Sequence, residues 1–198
     1  MKFSRSFAVG ALLASATASA DDHVQVDDDT FAVDSKGGLA VDTGLLVASP
    51  AALPSGMSTG LVAGITRSCG CHFAYGVRAS WSTITESSLV WTVDQTDFRL
   101  RATGSIRHDA GRGSIALRLG LGPTFVHEVR TRNQSMEAGT DLTTRAWGTV
   151  PAGDLDAMFS LHVAGPWLAV ASGGPSLDHF GGAFVLGWSA SLGVAWQP

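Results

Sequence analysis

From His72 to Trp81 the chain alternates strictly, with Phe73, Tyr75, Val77, Ala79 and Trp81 set against His72, Ala74, Gly76, Arg78 and Ser80. Side chains two apart share a face only in an extended strand, because a helix repeats every 3.6 residues. This period therefore commits the segment to a β-strand with one apolar and one small or polar face. Asp97 to Arg107 has the same plan: Phe98, Leu100, Ala102, Gly104 and Ile106 oppose Arg99, Arg101, Thr103, Ser105 and Arg107. Ser114 to Phe125, Asp154 to Val163 and Ala183 to Trp196 repeat it, and no window of useful length shows a helical face. Pro123 falls on the apolar side of its segment, and a proline cannot donate to a ladder, so a bulge or an early strand end is expected there.

Three weaker segments, Leu39 to Val47, Thr59 to Thr66 and Trp167 to Ser172, bring the total to eight. An up-and-down antiparallel sheet that closes with both ends on one side needs an even count. The predicted connections also alternate in length. Ala48 to Ser58, Ser82 to Thr96, Val126 to Gly153 and Gly173 to Gly182 are long, whereas Arg67 to Cys71, His108 to Arg112 and Ala164 to Pro166 are short. Long loops on one rim and tight turns on the other are the layout of outer-membrane barrels, with the short turns and both termini in the periplasm.

Period two does not say which face points inward, so the composition of the second face has to decide. That face is Gly, Ala, Ser and Thr with single arginines, and Lys36 is the only lysine after Lys2. A water-facing surface would carry Lys and Glu in quantity. Small residues with isolated guanidinium groups suit a narrow interior, which eight strands leave just wide enough for side chains to fill. Asp42, Asp154 and Asp156 share that predicted face with Arg78, Arg99, Arg101, Arg107 and Arg118, and His162 lies on it too. Five positive charges against three negative leave an excess, and a dry unpaired charge costs several kcal/mol. Loop acids reaching in, water, or a shifted strand register would each resolve it. Ten residues at about 3.3 Å, tilted by roughly 40°, rise about 25 Å, the height of the apolar band in such barrels. The aromatics Phe73, Tyr75, Trp81, Phe184 and Trp196 lie toward strand ends, as interfacial girdles require, with core packing as the rival explanation.

The N-terminus has the order of a secretory signal: Lys2 and Arg5, an apolar run from Phe7 to Ala14, and small residues ending Ala18, Ser19, Ala20. The apolar run is shorter than the 18 or so residues a membrane helix needs. Cleavage after residue 20 would leave an acidic leader, residues 21–37, and a barrel domain, residues 38–198. Without Lys2 and Arg5 the 13 basic residues become 11 against 17 acidic ones. Six of the acids, Asp21, Asp22, Asp27, Asp28, Asp29 and Asp34, fall in the leader. An acidic balance gives no support for binding nucleic acid. The leader carries no calcium-loop signature. Cys69 and Cys71 are one residue apart, which strains a disulfide, and no ligands beyond His72 suggest a metal site. No cofactor and no metal are expected.

Two stretches resemble a known family. Gly187 to Trp196 looks like the C-terminal assembly signal of outer-membrane proteins, and Leu117 to Pro123 resembles small eight-stranded barrels of the OmpA, OmpW and opacity-protein kind. The resemblance covers about Gly38 to Trp196. It implies an all-β, eight-stranded antiparallel up-and-down transmembrane β-barrel, inserted by the barrel-assembly machinery, with a lumen filled or nearly filled by side chains and no catalytic residue.

The leading expectation is a non-enzymatic barrel with a role in envelope integrity or surface contact. Its partners would be outer-membrane lipid and lipopolysaccharide. The loop Val126 to Gly153 offers His127, Glu128, Arg130, Arg132, Glu137, Asp141 and Arg145 for such contacts. A lipid-modifying barrel enzyme is the alternative, and it would need a nucleophile and base in reach of each other, such as Ser160 with His162, or His127 with Glu128. A soluble lipocalin-like binder and a solute channel complete the set. Wide aqueous pores belong to barrels of about sixteen strands.

Overall fold

The computed structural model describes residues 38–51, 56–69, 72–132 and 143–198. The expected signal segment and acidic leader, together with Cys71, Glu137 and Asp141, lie outside the described residues. Eight strands follow in chain order: β1 Leu39–Ala48, β2 Ser58–Cys69, β3 Phe73–Ser87, β4 Trp91–Ala110, β5 Gly113–Arg132, β6 Thr143–Ala164, β7 Trp167–Phe180 and β8 Ala183–Trp196. Each pairs antiparallel with its neighbours in sequence, and β8 returns to β1 to close the barrel. At that seam Gly44 lies opposite Gly193, and a Cβ on Gly193 would fall 2.0 Å from the Thr43 carbonyl oxygen. The backbones approach so closely there that only glycine fits.

Every strand turns its apolar face outward. Leu45, Leu61, Val77, Ile106, Leu117, Leu119, Leu155, Leu186 and Leu192 are all exposed, whereas Arg99, Arg101, Arg118, Asp97 and Asp156 are buried. A conventional core barely exists: Leu46, Ala48 and Val62 form the cluster of buried apolar residues. An outer surface of this kind cannot rest against water, since soluble monomers rarely expose large contiguous apolar patches. Inside a bilayer the same arrangement is the favourable one, because closure leaves no unpaired edge in the hydrocarbon.

The strands run further than apolar alternation predicts. The expected connection Ser82 to Thr96 shrinks to residues 88–90, and Gly173 to Gly182 shrinks to Gly181 and Gly182, whose φ angles of 61° and 85° make the two-residue type I′ turn. Val126–Arg132 and Thr143–Gly153, expected as loop, are strand. The reason is that hydrogen bonding continues where the apolar signal stops: Ile84, Glu86, Thr92, Asp94 and Gln95 keep the ladder while facing no lipid. Pro123 does not end its strand either. The β4 ladder skips Leu100 and Arg101 opposite Gly122 and Pro123, then resumes in unchanged register at Arg99 and Thr124. The register shift falls elsewhere, between His162 and Ala164 in β6.

Candidate functional site: the filled lumen and the projecting sheet

The polar face of the strands meets itself inside the barrel. Asp156 on β6 is the centre of a lower layer: its Oδ2 accepts from Arg78 Nη1 on β3 at 3.0 Å and from Arg118 Nη2 on β5 at 2.8 Å. The Arg78 guanidinium also donates to Ser172 on β7 at 3.3 Å and to Ser191 on β8 at 2.8 Å, and those two hydroxyls are 2.8 Å apart. One carboxylate and two guanidinium groups thus tie five strands across the lumen. The fork of arginine suits this, since its donors point several ways at fixed angles. A cavity of about 10 Å³ lies beside Asp42, Arg78 and Arg118, about the room of one water.

A second layer lies toward the rim away from the termini. Arg101 on β4 reaches over Gly120 to Asp154 on β6, with Nε to Oδ2 at 2.7 Å. Its Nη1 donates to the Pro123 carbonyl at 2.7 Å and its Nη2 to Thr124 at 2.9 Å, so this guanidinium fills the place where the ladder skips. Thr124 in turn donates to Asp178 at 3.1 Å. Asp97, 1 % exposed, has both oxygens in use. Gln95 donates to one at 2.7 Å and the Ala51 amide to the other at 3.0 Å, while Arg99 lies 3.7 Å away and donates to the Ser49 carbonyl at 2.7 Å. The segment Ser49–Ala51 therefore turns inward, and Pro50 and Ala51 are buried in the mouth of the barrel.

The charge excess expected from the sequence disappears for two reasons. Arg107 stands at the terminus-bearing rim, bonded to Asp109. Asp97, which shares the parity of Arg99, and Asp178, in a segment that reads as loop, are inside. The interior then holds Arg78, Arg99, Arg101 and Arg118 with Asp42, Asp97, Asp154, Asp156 and Asp178. Asp178 was hidden because its segment reads as loop. Its signal is faint but present: Ser172, Gly174, Ser176 and Asp178 share one parity.

His162 is apart from these layers, with Nε2 2.6 Å from the Gly165 carbonyl at the tight turn. Ser160 pairs with Ser114 at 2.5 Å, so Ser160 and His162 spend their polar atoms on other partners. The aromatics are outward. Phe73, Tyr75 and Trp196 lie toward the terminus-bearing rim, where Trp196 pairs with Trp167, and Trp81 and Phe184 lie toward the other.

Beyond the apolar band β3 to β6 continue as a four-stranded sheet, with Val126–Arg132 alone rising roughly 18 Å. Its outer face carries His127 stacked on Trp147, ring centres 4.0 Å apart, with Trp147 77 % exposed. Glu128 lies on the opposite face of β5 from His127 and bonds Arg130, which holds that guanidinium above its ordinary pKa. β7 pairs with β6 no further than Ala152, so among the described residues no strand pairs with the outer edge of Thr143–Val150.

An apolar exterior, a charged and filled interior and eight closed strands occur together in one architecture. The fold is that of a small outer-membrane β-barrel. The crystal structure of Ail, the attachment invasion locus protein of Yersinia pestis, superposes with a TM-score of 0.51 over 82 % of this chain and 97 % of that one, at 11 % sequence identity. Neisserial surface protein A is 12 % identical with a TM-score of 0.42, over 81 % of this chain and 95 % of its own. OprG from Pseudomonas aeruginosa is 11 % identical with a TM-score of 0.45, over 82 % and 96 %. No protein-family model and no curated protein matches the sequence.

Proposed function

We propose that this chain is an integral outer-membrane β-barrel protein with both termini on the periplasmic side, and that its role is non-enzymatic contact at the cell surface. The observation that carries this reading is the contrast in length between the walls: β1 has 10 residues, whereas β4, β5 and β6 have 20, 20 and 22. The extra length spans no lipid and encloses no lumen. What it does is present a polar sheet whose Thr143–Val150 edge is unpaired among the described residues, and such an edge is a template for an extended segment of another molecule. Conduction finds no support, since arginine and aspartate layers and the inturned Ser49–Ala51 segment fill the interior. Lipid modification finds none at the pairs considered: Ser160 pairs with Ser114 and His162 with the Gly165 carbonyl, while His127 stacks on Trp147 and Glu128 bonds Arg130.

Two measurements test the reading. Membrane fractionation with electrophoresis of boiled and unboiled samples should place the chain in the outer membrane with a mobility that changes on boiling. In a chain with Cys69 and Cys71 replaced by serine, Arg145→Cys should react with a membrane-impermeant maleimide on intact cells. Labelling only after the cells are broken would reverse the orientation.

A further inference from the structure

Along β4 the outward positions toward the terminus-bearing rim are Leu100, Ala102, Gly104, Ile106 and His108. Ala102 and Gly104 are small, while the same rungs carry Val77 and Tyr75 on β3 and Leu121 and Leu119 on β5. The result is an outward-open apolar groove of about 440 Å³ floored by Ala102 and Gly104. A Cβ built on Gly104 meets only Phe73 Cζ, at 3.8 Å, so the hollow is real space and not a close backbone approach.

Polar and basic side chains stand beside the groove and past its rim end, outside its apolar lining. His108 is the next outward position past Ile106, and it is exposed. Tyr75 lies on the rung of Gly104, and Arg67 on β2 pairs with Tyr75, two strands or about 10 Å from Gly104. Arg67 and Tyr75 are both exposed on the outer face. The acid nearby, Asp109, faces the other way and is bonded to Arg107.

We infer that this groove binds one anionic glycerophospholipid, its acyl chain lying on Ala102 and Gly104 and its phosphate held by Arg67, Tyr75 and His108. The inference rests on the reading of the barrel as membrane-spanning. A hydrocarbon chain fits an apolar hollow that bulky residues bound on both sides, and water could not fill it favourably. The arginine and the amphipathic tyrosine supply what the headgroup level requires: a cation for the phosphate and a ring whose apolar body stays in the hydrocarbon. A zwitterionic lipid would satisfy the hollow equally and the cation less well, so the site selects by net charge.

Native mass spectrometry of the purified full chain, offered phosphatidylglycerol and phosphatidylethanolamine in equal amount, tests this independently of membrane orientation. The native chain should retain one phosphatidylglycerol in preference. Arg67→Gln with His108→Gln should lower that retention about fivefold, the effect of one cation near an anionic headgroup, and leave phosphatidylethanolamine unchanged. Gly104→Leu should lower retention of both lipids while the unboiled electrophoretic mobility stays native. If Gly104→Leu fails to fold, Ala102→Leu fills the same hollow. Equal retention of the two lipids by the native chain would overturn the inference, as would full retention by the groove-filling variant. So would a second copy seated on the groove, read as a disulfide dimer of Gly104→Cys in the chain with Cys69 and Cys71 replaced by serine. A chain that fails the fractionation test but still selects phosphatidylglycerol would separate this site from the proposed location.

Discussion

The lumen and the projecting sheet are built from the same strands in the same register, yet charged residues do opposite things in them. Inside, Asp156 and the guanidinium groups of Arg78 and Arg118 are cut off from water and hold one another across the barrel. Outside, Glu128 and Arg130 are also bonded, but there the Arg130 side chain remains 55 % exposed and water competes for its guanidinium, even though Glu128 is 12 % exposed. Removing one member of a buried pair leaves an uncompensated charge, whereas removing one member of an exposed pair returns the other to solvent. A charge therefore matters here according to its height on the strand, and being in an ion pair does not by itself rank it.

The comparison can be broken most decisively at Asp156. Asp156→Ala strands two buried guanidinium groups and should destabilise the barrel by about 3–5 kcal/mol, read from urea unfolding in lipid vesicles. A loss below about 1 kcal/mol would mean that water already solvates the layer. Leu119→Arg tests the other face of β5 at the same height. A cation facing the hydrocarbon should cost about 2–4 kcal/mol in the same assay, and a neutral result would place that position outside the bilayer. Arg130→Ala should be nearly silent, within about 0.5 kcal/mol, because its guanidinium is already half in water and gains little from the pair. A larger loss would show that the projecting sheet contributes to the stability of the barrel.

Much of this architecture is legible along the chain. Parity alone puts Arg78, Arg99, Arg101 and Arg118 on one face and Leu117, Leu119 and Leu121 on the other, since a pleated strand leaves no third choice. The eight segments follow from the same local rule, and the outward direction of the apolar face from the small, arginine-bearing composition of the other. The upper ends of the strands are less legible. Above Phe125 the side chains no longer contrast in polarity, so Val126–Arg132 and Thr143–Val150 read as loop although their backbones are fully laddered. Asp178 was missed for that reason, and the inward turn of Ser49–Ala51 leaves no periodic trace at all.

What the sequence by itself determined is the period, the number of strands and the sense of the two faces, because each depends on side chains a few residues apart. Tertiary structure decided which acid meets which arginine, how the lumen is stopped at Asp97, and where the β6 edge is left unpaired. Those outcomes depend on closure and on the stagger between strands. Asp156 and Arg78 are far apart in sequence and on strands that are not neighbours. Only bending the sheet into a ring brings them within a hydrogen bond of each other.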